Sequence, residues 1–504
     1  MRKKLINYLL GSALVFLTIG IVIFIYSTVN GYNINSGFKS VPLNYNYTDS
    51  TSSQIYKNIE VKVKGGYVKG IQKDDKGIEN ILIRALSPIP DFEVKGTNAG
   101  PASVMLENIS PEFYMGNLGS TGVAKTVEKV APSTLRFQFD LKAGETKEIK
   151  QKEITKETAD KNKFVILGDN RDGYDTFEQI IEQVNALRPI FVINNGDLVF
   201  SGKPNQYRLF DKVVGKFEVP MFTTLGNHDI RGNGRQIYTK LYGPEYFSFD
   251  FGDNYFIFLD SSPAWTQKTA ISSEQYTWLE NQLNKAKGKK IFVVTHVPPV
   301  DPRTGVTKNE IPDLIDKSKN DQGLIEQKLS NYSETMSMNH GFQDPTEAAR
   351  FESMMKDHGV DTVFLSHIHS YIDTEKDNVR YLITGGAGAE LLTKNSYYHY
   401  IVSRFDQPRQ STIIELPSPV NTTVARYLAT AQLFATAMFE ENPVAVANVL
   451  FGLILLVIFI ILKIYYWKKD PINKLGKWAV DVGKYSVKEF KEDFDLDKKD
   501  DPKN

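Results

Sequence analysis

The chain has 504 residues, with 60 Lys and Arg against 60 Asp and Glu, and no cysteine. That length leaves room for more than one hydrophobic core, and the charge balance excludes a global field that would draw the protein to nucleic acid. Without cysteine there are no disulfides, no thiolate catalysis and no Cys-ligated zinc, so any metal must be held by Asp, Asn and His, a set suited to Mn, Fe, Zn or Mg.

Met1-Arg2-Lys3-Lys4 precedes an uncharged apolar stretch from Leu5 to about Tyr26. It is close to the roughly 20 residues that span a bilayer, is longer than the roughly 7–15 residues of a signal-peptide core, and has no small-residue cleavage site after Tyr26. Residues 1–27 are therefore expected to be an uncleaved transmembrane anchor rather than a signal peptide. A second span is expected at 444–467, where Val444 to Leu462 is followed by Lys463, Tyr465-Tyr466-Trp467 and Lys468-Lys469. Basic residues flank the outer ends of both runs, which predicts cytoplasmic termini and an extracytoplasmic body, in a multi-pass cell-membrane protein.

Residues 28–53 read as a polar linker. Residues 54–155 alternate in short segments such as Ile59-Glu60-Val61-Lys62-Val63 and Leu135-Arg136-Phe137-Gln138-Phe139, punctuated by Gly and Pro. This predicts a small β-sandwich, either a spacer or a partner-binding module. Residues 419–443 read as a stalk or interfacial helix, because Arg426 and Gln432 interrupt the apolar stretch Val424 to Phe439. Residues 468–504 read as a basic, then mixed-charge, cytoplasmic tail, with Ile472, Leu475, Trp478, Val482 and Tyr485 spaced for an amphipathic surface helix.

Between them, residues 162–418 alternate apolar strands with helical patterns in the βαβαβ manner of a layered α/β domain. A hairpin is expected through Gly252-Asp253, and a helix opening at Ser272 with Gln275 in a capping box. Later strands Asn378 to Thr384, His399 to Arg404 and Ser411 to Leu416 predict a second sheet, so the fold expected is two packed β-sheets flanked by helices.

Five apolar runs end in polar ligands: Gly168-Asp169, Gly196-Asp197, Gly226-Asn227-His228-Asp229, Thr295-His296 and Ser366-His367-Ile368-His369. Ligands in α/β sheets bind beyond the carboxyl ends of strands. There Asp197 can bridge two cations, Asp169 can add to one and Asn227 to the other, and neutral imidazoles suit the remaining positions. Two cations about 3.5–4 Å apart bring the pKa of a shared water toward roughly 7 and clamp a phosphoryl group for attack by hydroxide.

These five motifs, in this order, resemble the calcineurin-like metallophosphoesterases over about residues 162–418. The resemblance implies a four-layer sandwich and a hydrolase that cleaves a phosphate monoester or diester by metal-bound hydroxide. It implies that Asp169, Asp197 and His369 hold the first metal, that Asp197, Asn227, His296 and His367 hold the second, and that His228 contacts phosphate and protonates the leaving oxygen. Two metal ions, of Mn, Fe or Zn character, are the implied cofactors. The sequence departs from the family in Asp169-Asn170-Arg171, where Asp-x-His is usual, and Phe200 stands where the purple acid phosphatases carry a ligand tyrosine. The first site is then one protein ligand short, to be completed by water, Asn170 or Tyr174. Arg171 either clamps substrate phosphate or pairs with Asp172 or Asp175 to support its loop.

Four of the chain's seven histidines lie in the motifs. His340 lies in a long polar insertion, Pro298 to Asp344, that suits a substrate-selecting loop, and it is the fifth candidate for the site. His358 before Gly359 reads as a helix cap and His399 as packed in the second sheet, while Gly385-Gly386-Ala387-Gly388 reads as a close-approach turn near the metals. The expected partners are a phosphorylated substrate, lipid-linked or from the cell wall, and the membrane. The competing reading is a binding or sensing protein that keeps the fold without the chemistry.

Overall fold

The computed structural model of the chain describes residues 2–31, 38–40, 44–74, 77–114, 123–150, 154–231, 233–262, 269–303, 340–391, 396–417, 443–466 and 477–482. It divides into one unit of residues 1–31 with 435–504 and another of residues 32–434.

In the first unit, helices Arg2–Gly31 and Pro443–Tyr466 lie against each other. Two glycines permit this: a Cβ on Gly20 would stand 2.6 Å from Val449 Cγ2, and one on Gly452 would stand 2.7 Å from Leu17 Cγ. Phe16 meets Phe451 edge to face, with ring centroids 4.8 Å apart. Val444–Ile464 is long and apolar enough to cross a membrane, whereas the N-terminal helix has a shorter apolar core, Tyr8–Ile23. The second of the two expected spans therefore has one clear candidate and the first a partial one. The proposed stalk, Val424 to Phe439, and most of the tail lie outside the described residues.

In the second unit, residues 38–149 form two antiparallel-rich sheets. One contains β1 (Phe38–Ser40), β5 (Gly66–Lys73), β6 (Glu79–Ala85), β8 (Gly100–Glu107), β10 (Thr134–Leu141) and β9 (Thr126–Ala131), in that order. The other contains β11 (Thr146–Ile149), β7 (Asp91–Gly96), β4 (Ile59–Lys64), β3 (Thr51–Tyr56) and β2 (Tyr45–Asn46). Val61, Val63, Ile81, Ile83, Phe92, Val104, Phe137 and Phe139 fill the space between them. Residues 28–53 are more than a linker, since β1 pairs with β5 and β2 with β3. These are short edge strands, and an edge strand needs no apolar alternation to be recruited. Tyr47 also stacks on Tyr246 at 4.2 Å, and Trp278 Nε1–H donates to the Tyr47 carbonyl at 2.7 Å.

The remaining strands make two sheets packed face to face. The first has the order β14 (Met221–Thr223), β13 (Val192–Asn194), β12 (Lys163–Leu167), β21 (Tyr398–Arg404), β22 (Thr412–Leu416). The second has β15 (Phe247–Phe251), β16 (Asn254–Phe258), β17 (Lys290–Val294), β18 (Thr362–Leu365), β20 (Val379–Thr384), β19 (Tyr371–Lys376). Strand alternation sorts the side chains. Phe256 and Phe258 join Phe164, Phe191, Phe222, Phe292 and Phe364 between the sheets. Tyr255 and Ile257 turn outward to helices Ser273–Lys285 and Pro345–Asp357. The expected second sheet is thus corrected: β20 belongs to it, but β21 and β22 extend the first sheet, with β21 antiparallel to β12. Composition cannot tell these alternatives apart, because both sheets draw on the same apolar and aromatic residues.

Ser272 caps its helix by accepting from the Gln275 N–H, but Gln275 spends its side chain on the Asp260 backbone, so only half of the capping box forms. The sandwich docks on the β14 edge, where Asn108 receives the Met221 N–H at 2.8 Å and donates to the Met221 carbonyl at 3.1 Å.

Candidate metal centre

All five motifs converge beyond the carboxyl ends of β12, β13, β14, β17 and β18. The turns that deliver the ligands are tight: Asp169, Asp197 and His367 adopt φ of 57°, 54° and 71°, in the left-handed region that side chains avoid. Their neighbours cannot carry a Cβ either. One on Gly226 would stand 2.2 Å from Asp197 Oδ1, and one on Gly385 would stand 2.6 Å from Asp169 Oδ2. The glycine turn at 385–388 is therefore a close approach to the centre.

Two clusters share one carboxylate. Ligand atoms of Asp169, Asp197 and His369 lie within 4.8 Å of one another, as do those of Asp197, His296 and His367. His296 Nε2 is 3.4 Å from Asp197 Oδ1, and His369 Nε2 is 3.6 Å from Asp169 Oδ1. The main chain sets both tautomers. The Asn195 carbonyl receives His296 Nδ1–H at 2.8 Å and the Glu390 carbonyl receives His369 Nδ1–H at 2.5 Å, which leaves the Nε2 lone pairs for the centre.

The donor set fits divalent cations. Asp169 Oδ1, Asn227 Oδ1 and His296 Nε2 are buried with no hydrogen-bond partner, a costly arrangement unless a cation completes it. Burial and the charge on Asp197 push the Asp169 pKa well above the ordinary carboxylate range. Burial opposes the Asp197 carboxylate too, but His296, His228, Arg171 and His367 outweigh it and hold its pKa down. Burial keeps His296 and His367 below their ordinary value and brings His369 to about 4, so all three imidazoles are neutral at pH 7.

Arg171 is buried and faces both Asp197, with Nε 3.4 Å from Oδ2, and Glu390, with Nη2 2.8 Å from Oε1. Its guanidinium also lies 5.3 Å from the Phe200 ring centroid. It thus sits in the centre rather than merely propping its own loop. Asn170 does not reach in, since it donates to the Leu198 carbonyl and accepts from Asn194. Tyr174 is buried at the start of helix Tyr174–Leu187. His228 donates Nδ1–H to the Phe200 carbonyl at 2.5 Å and takes a hydrogen bond from Arg231 at Nε2, 3.0 Å. Burial lowers its pKa, against the pull of Asp197. His340 comes within 5.3 Å of the His367 ring, centroid to centroid. Residues 304–339 of the insertion lie outside the described residues. His358 caps its helix and meets Glu280 at 3.1 Å. His399 is fully buried in the first sheet, between Tyr397 and Thr384.

Sequence reasoning overlooked Glu390, Arg231, Asn195 and the role of Asp229. Asp229, Asn195 and Arg231 had a local signal, since each stands within three residues of His228 or Asp197; Glu390 is brought in by a loop whose course no spacing reveals. Asp229 is buried and accepts the Leu198, Val199 and Gly226 N–H groups at 2.8, 3.0 and 2.8 Å, lashing the second ligand turn to the third.

Residues 162–371 match the family model of the calcineurin-like phosphoesterases. Over those residues the chain is similar to the calcineurin-like phosphoesterases. It is 31% identical over 146 residues to a probable glycerophosphodiester phosphodiesterase GpdQ of Arcobacter nitrofigilis, covering 27% of this chain and 51% of that protein. It is 31% identical over 131 residues to the glycerophosphodiester phosphodiesterase GpdQ of Enterobacter lignolyticus, covering 24% of this chain and 47% of the other. The chain thus spans about half the length of these curated relatives. Among solved structures it is similar to a purple acid phosphatase from yellow lupin (Lupinus luteus) seeds, with 13% identity, TM-score 0.37, and coverage of 66% of this chain and 75% of that one. A dimetal phosphatase from Danio rerio matches with 12% identity, TM-score 0.36, and coverage of 51% and 99%. At these scores the likeness says nothing of substrate.

Proposed function

We propose that this chain is a membrane-tethered, metal-dependent phosphoesterase that hydrolyses a phosphate ester outside the cytoplasmic membrane. The observation that carries the reading is a pair of Asp/His clusters sharing Asp197, with three buried ligand atoms left unpaired around it. In this reading Asp169, Asp197 and His369 hold the first cation, and Asp197, Asn227, His296 and His367 the second. Bound there, the cations supply an activated water and positive charge for the phosphoryl oxygens.

The chain's own residues do the rest. Arg171, anchored by Glu390, offers guanidinium donors to the phosphoryl group, and Asn227 and His340 add contacts to substrate. His228, once protonated, gives its proton to the leaving oxygen. The 31% identity to glycerophosphodiester phosphodiesterases makes a diester the first substrate class to try, and a tether favours a lipid-linked or cell-wall phosphate. The β-sandwich serves as a docked support, and both basic termini face the cytoplasm.

The test is hydrolysis of chromogenic phosphate diesters and monoesters by the full-length chain in detergent, with Mn, Fe or Zn. Expected is metal-dependent turnover that disappears in Asp197→Asn and falls about 10²–10⁴-fold in His228→Ala. Turnover that survives chelation, or that Asp197→Asn leaves intact, refutes the reading. Two bound metals with no turnover of any ester favours the binding protein instead.

A further inference from the structure

A second cluster of buried charge stands beside the metal centre, where the chain enters and leaves the long insertion. Asp301 and Arg303 are 3% and 4% exposed, and both Asp301 oxygens are engaged by the arginine. Oδ1 accepts from Arg303 Nε and from the Arg303 backbone N–H, and Oδ2 accepts from Nη2, each at 3.0 Å. Oδ2 also receives the His340 backbone N–H at 3.1 Å, so this carboxylate ties the two ends of the insertion together. The same Arg303 Nη2 reaches His340 Nδ1 at 2.5 Å.

A guanidinium has donors only. His340 Nδ1 must therefore accept, and the single proton of the neutral ring sits on Nε2. That ring lies against His367, one of the three residues of the second cluster. Arg303 Nη1 is itself buried without a partner, a donor still to be used. A bidentate ion pair held this deep costs desolvation, and its use here is to fix one ring in one tautomer.

We infer that Asp301 and Arg303 are positioning residues that hold His340 as a neutral Nε2–H donor to a phosphoryl oxygen at the Asp197–His296–His367 cluster, an inference that rests on the phosphoesterase reading of that cluster. His340 binds; it neither holds metal nor carries the leaving-group proton.

Inorganic phosphate binding to the full-length, manganese-loaded protein, followed by calorimetry, tests this directly. Loss of one hydrogen bond to a charged oxygen weakens binding about tenfold or more. His340→Ala is expected to show that loss with metal stoichiometry unchanged. His340→Gln places an amide N–H near the position of Nε2 and is expected to recover affinity to within about threefold. Arg303→Leu is expected to match His340→Ala; because it strands Asp301, the His340 pair decides the matter if that variant does not fold. Unchanged phosphate affinity in His340→Ala, lost metal, or a glutamine no better than alanine overturns the inference. Failure of the wild type to turn over any ester would instead sink the phosphoesterase reading, while the phosphate titration still reports on His340.

Discussion

Asp229 holds the centre together without belonging to it. Its carboxylate takes three backbone N–H groups, from Leu198, Val199 and Gly226, and none of them is reachable by water because Asp229 is fully buried. Asp229→Ala leaves three donors stranded at about 1–2 kcal/mol each, a loss of about 3–6 kcal/mol. Asp229→Asn keeps one oxygen for Leu198 and Val199 but sets an amide N–H against that of Gly226, a smaller loss of about 1–3 kcal/mol. Both changes also free the turns that carry Asp197 and Asn227, so metal affinity should fall about 10–100-fold, as for other groups that orient ligands from behind. Denaturant unfolding of the metal-free protein measures the first effect, and competition with a metallochromic chelator the second. Equal stability in the two variants, or wild-type metal affinity in Asp229→Ala, would refute the argument that these three bonds brace the centre.

Burial pushes His399 to about 4, while its two nitrogens are satisfied in the neutral form by the Tyr397 carbonyl and the Thr384 hydroxyl. The folded pKa is depressed below the ordinary 6.5, so the unfolded chain binds the proton more readily and stability falls as pH drops from 6.5 through 4. That interval is worth about 3 kcal/mol, and His399→Gln should flatten this part of the stability profile; a profile of unchanged slope would count against it. The proposed topology has a separate test, because the chain contains no cysteine. Single cysteines at Ser53 and Ser486 should react with an impermeant thiol reagent in intact cells at position 53 and not at 486, and the reverse pattern would invert the orientation.

The residues that converge on the candidate centre were legible because a strand end is a local event. Asp169, Asp197, Asn227, His296 and His367 each close an apolar run, and a layered α/β sheet sends every such end to the same side. The β-sandwich was legible for a similar reason, in its alternation over residues such as Ile59 to Val63. Where pairing partners are distant in sequence, the pattern failed. It could not assign β21 and β22 to the first sheet, nor recruit Phe38 to Asn46 into the sandwich, because strand pairing is chosen by surfaces that exist only after collapse.

Sequence alone therefore determined the chemistry on offer: cysteine-free ligands of Asp, Asn and His, an arginine where a histidine is usual, and apolar helices at the two ends. The tertiary structure decided what each group is free to do. It turned Arg171 toward Glu390 and Asp197, put a main-chain carbonyl behind His296 and another behind His369, and set Arg303 behind His340. The tautomer of a histidine and the aim of a guanidinium depend on which partner lies within about 3 Å, and here the partners come from up to 219 residues away in the chain.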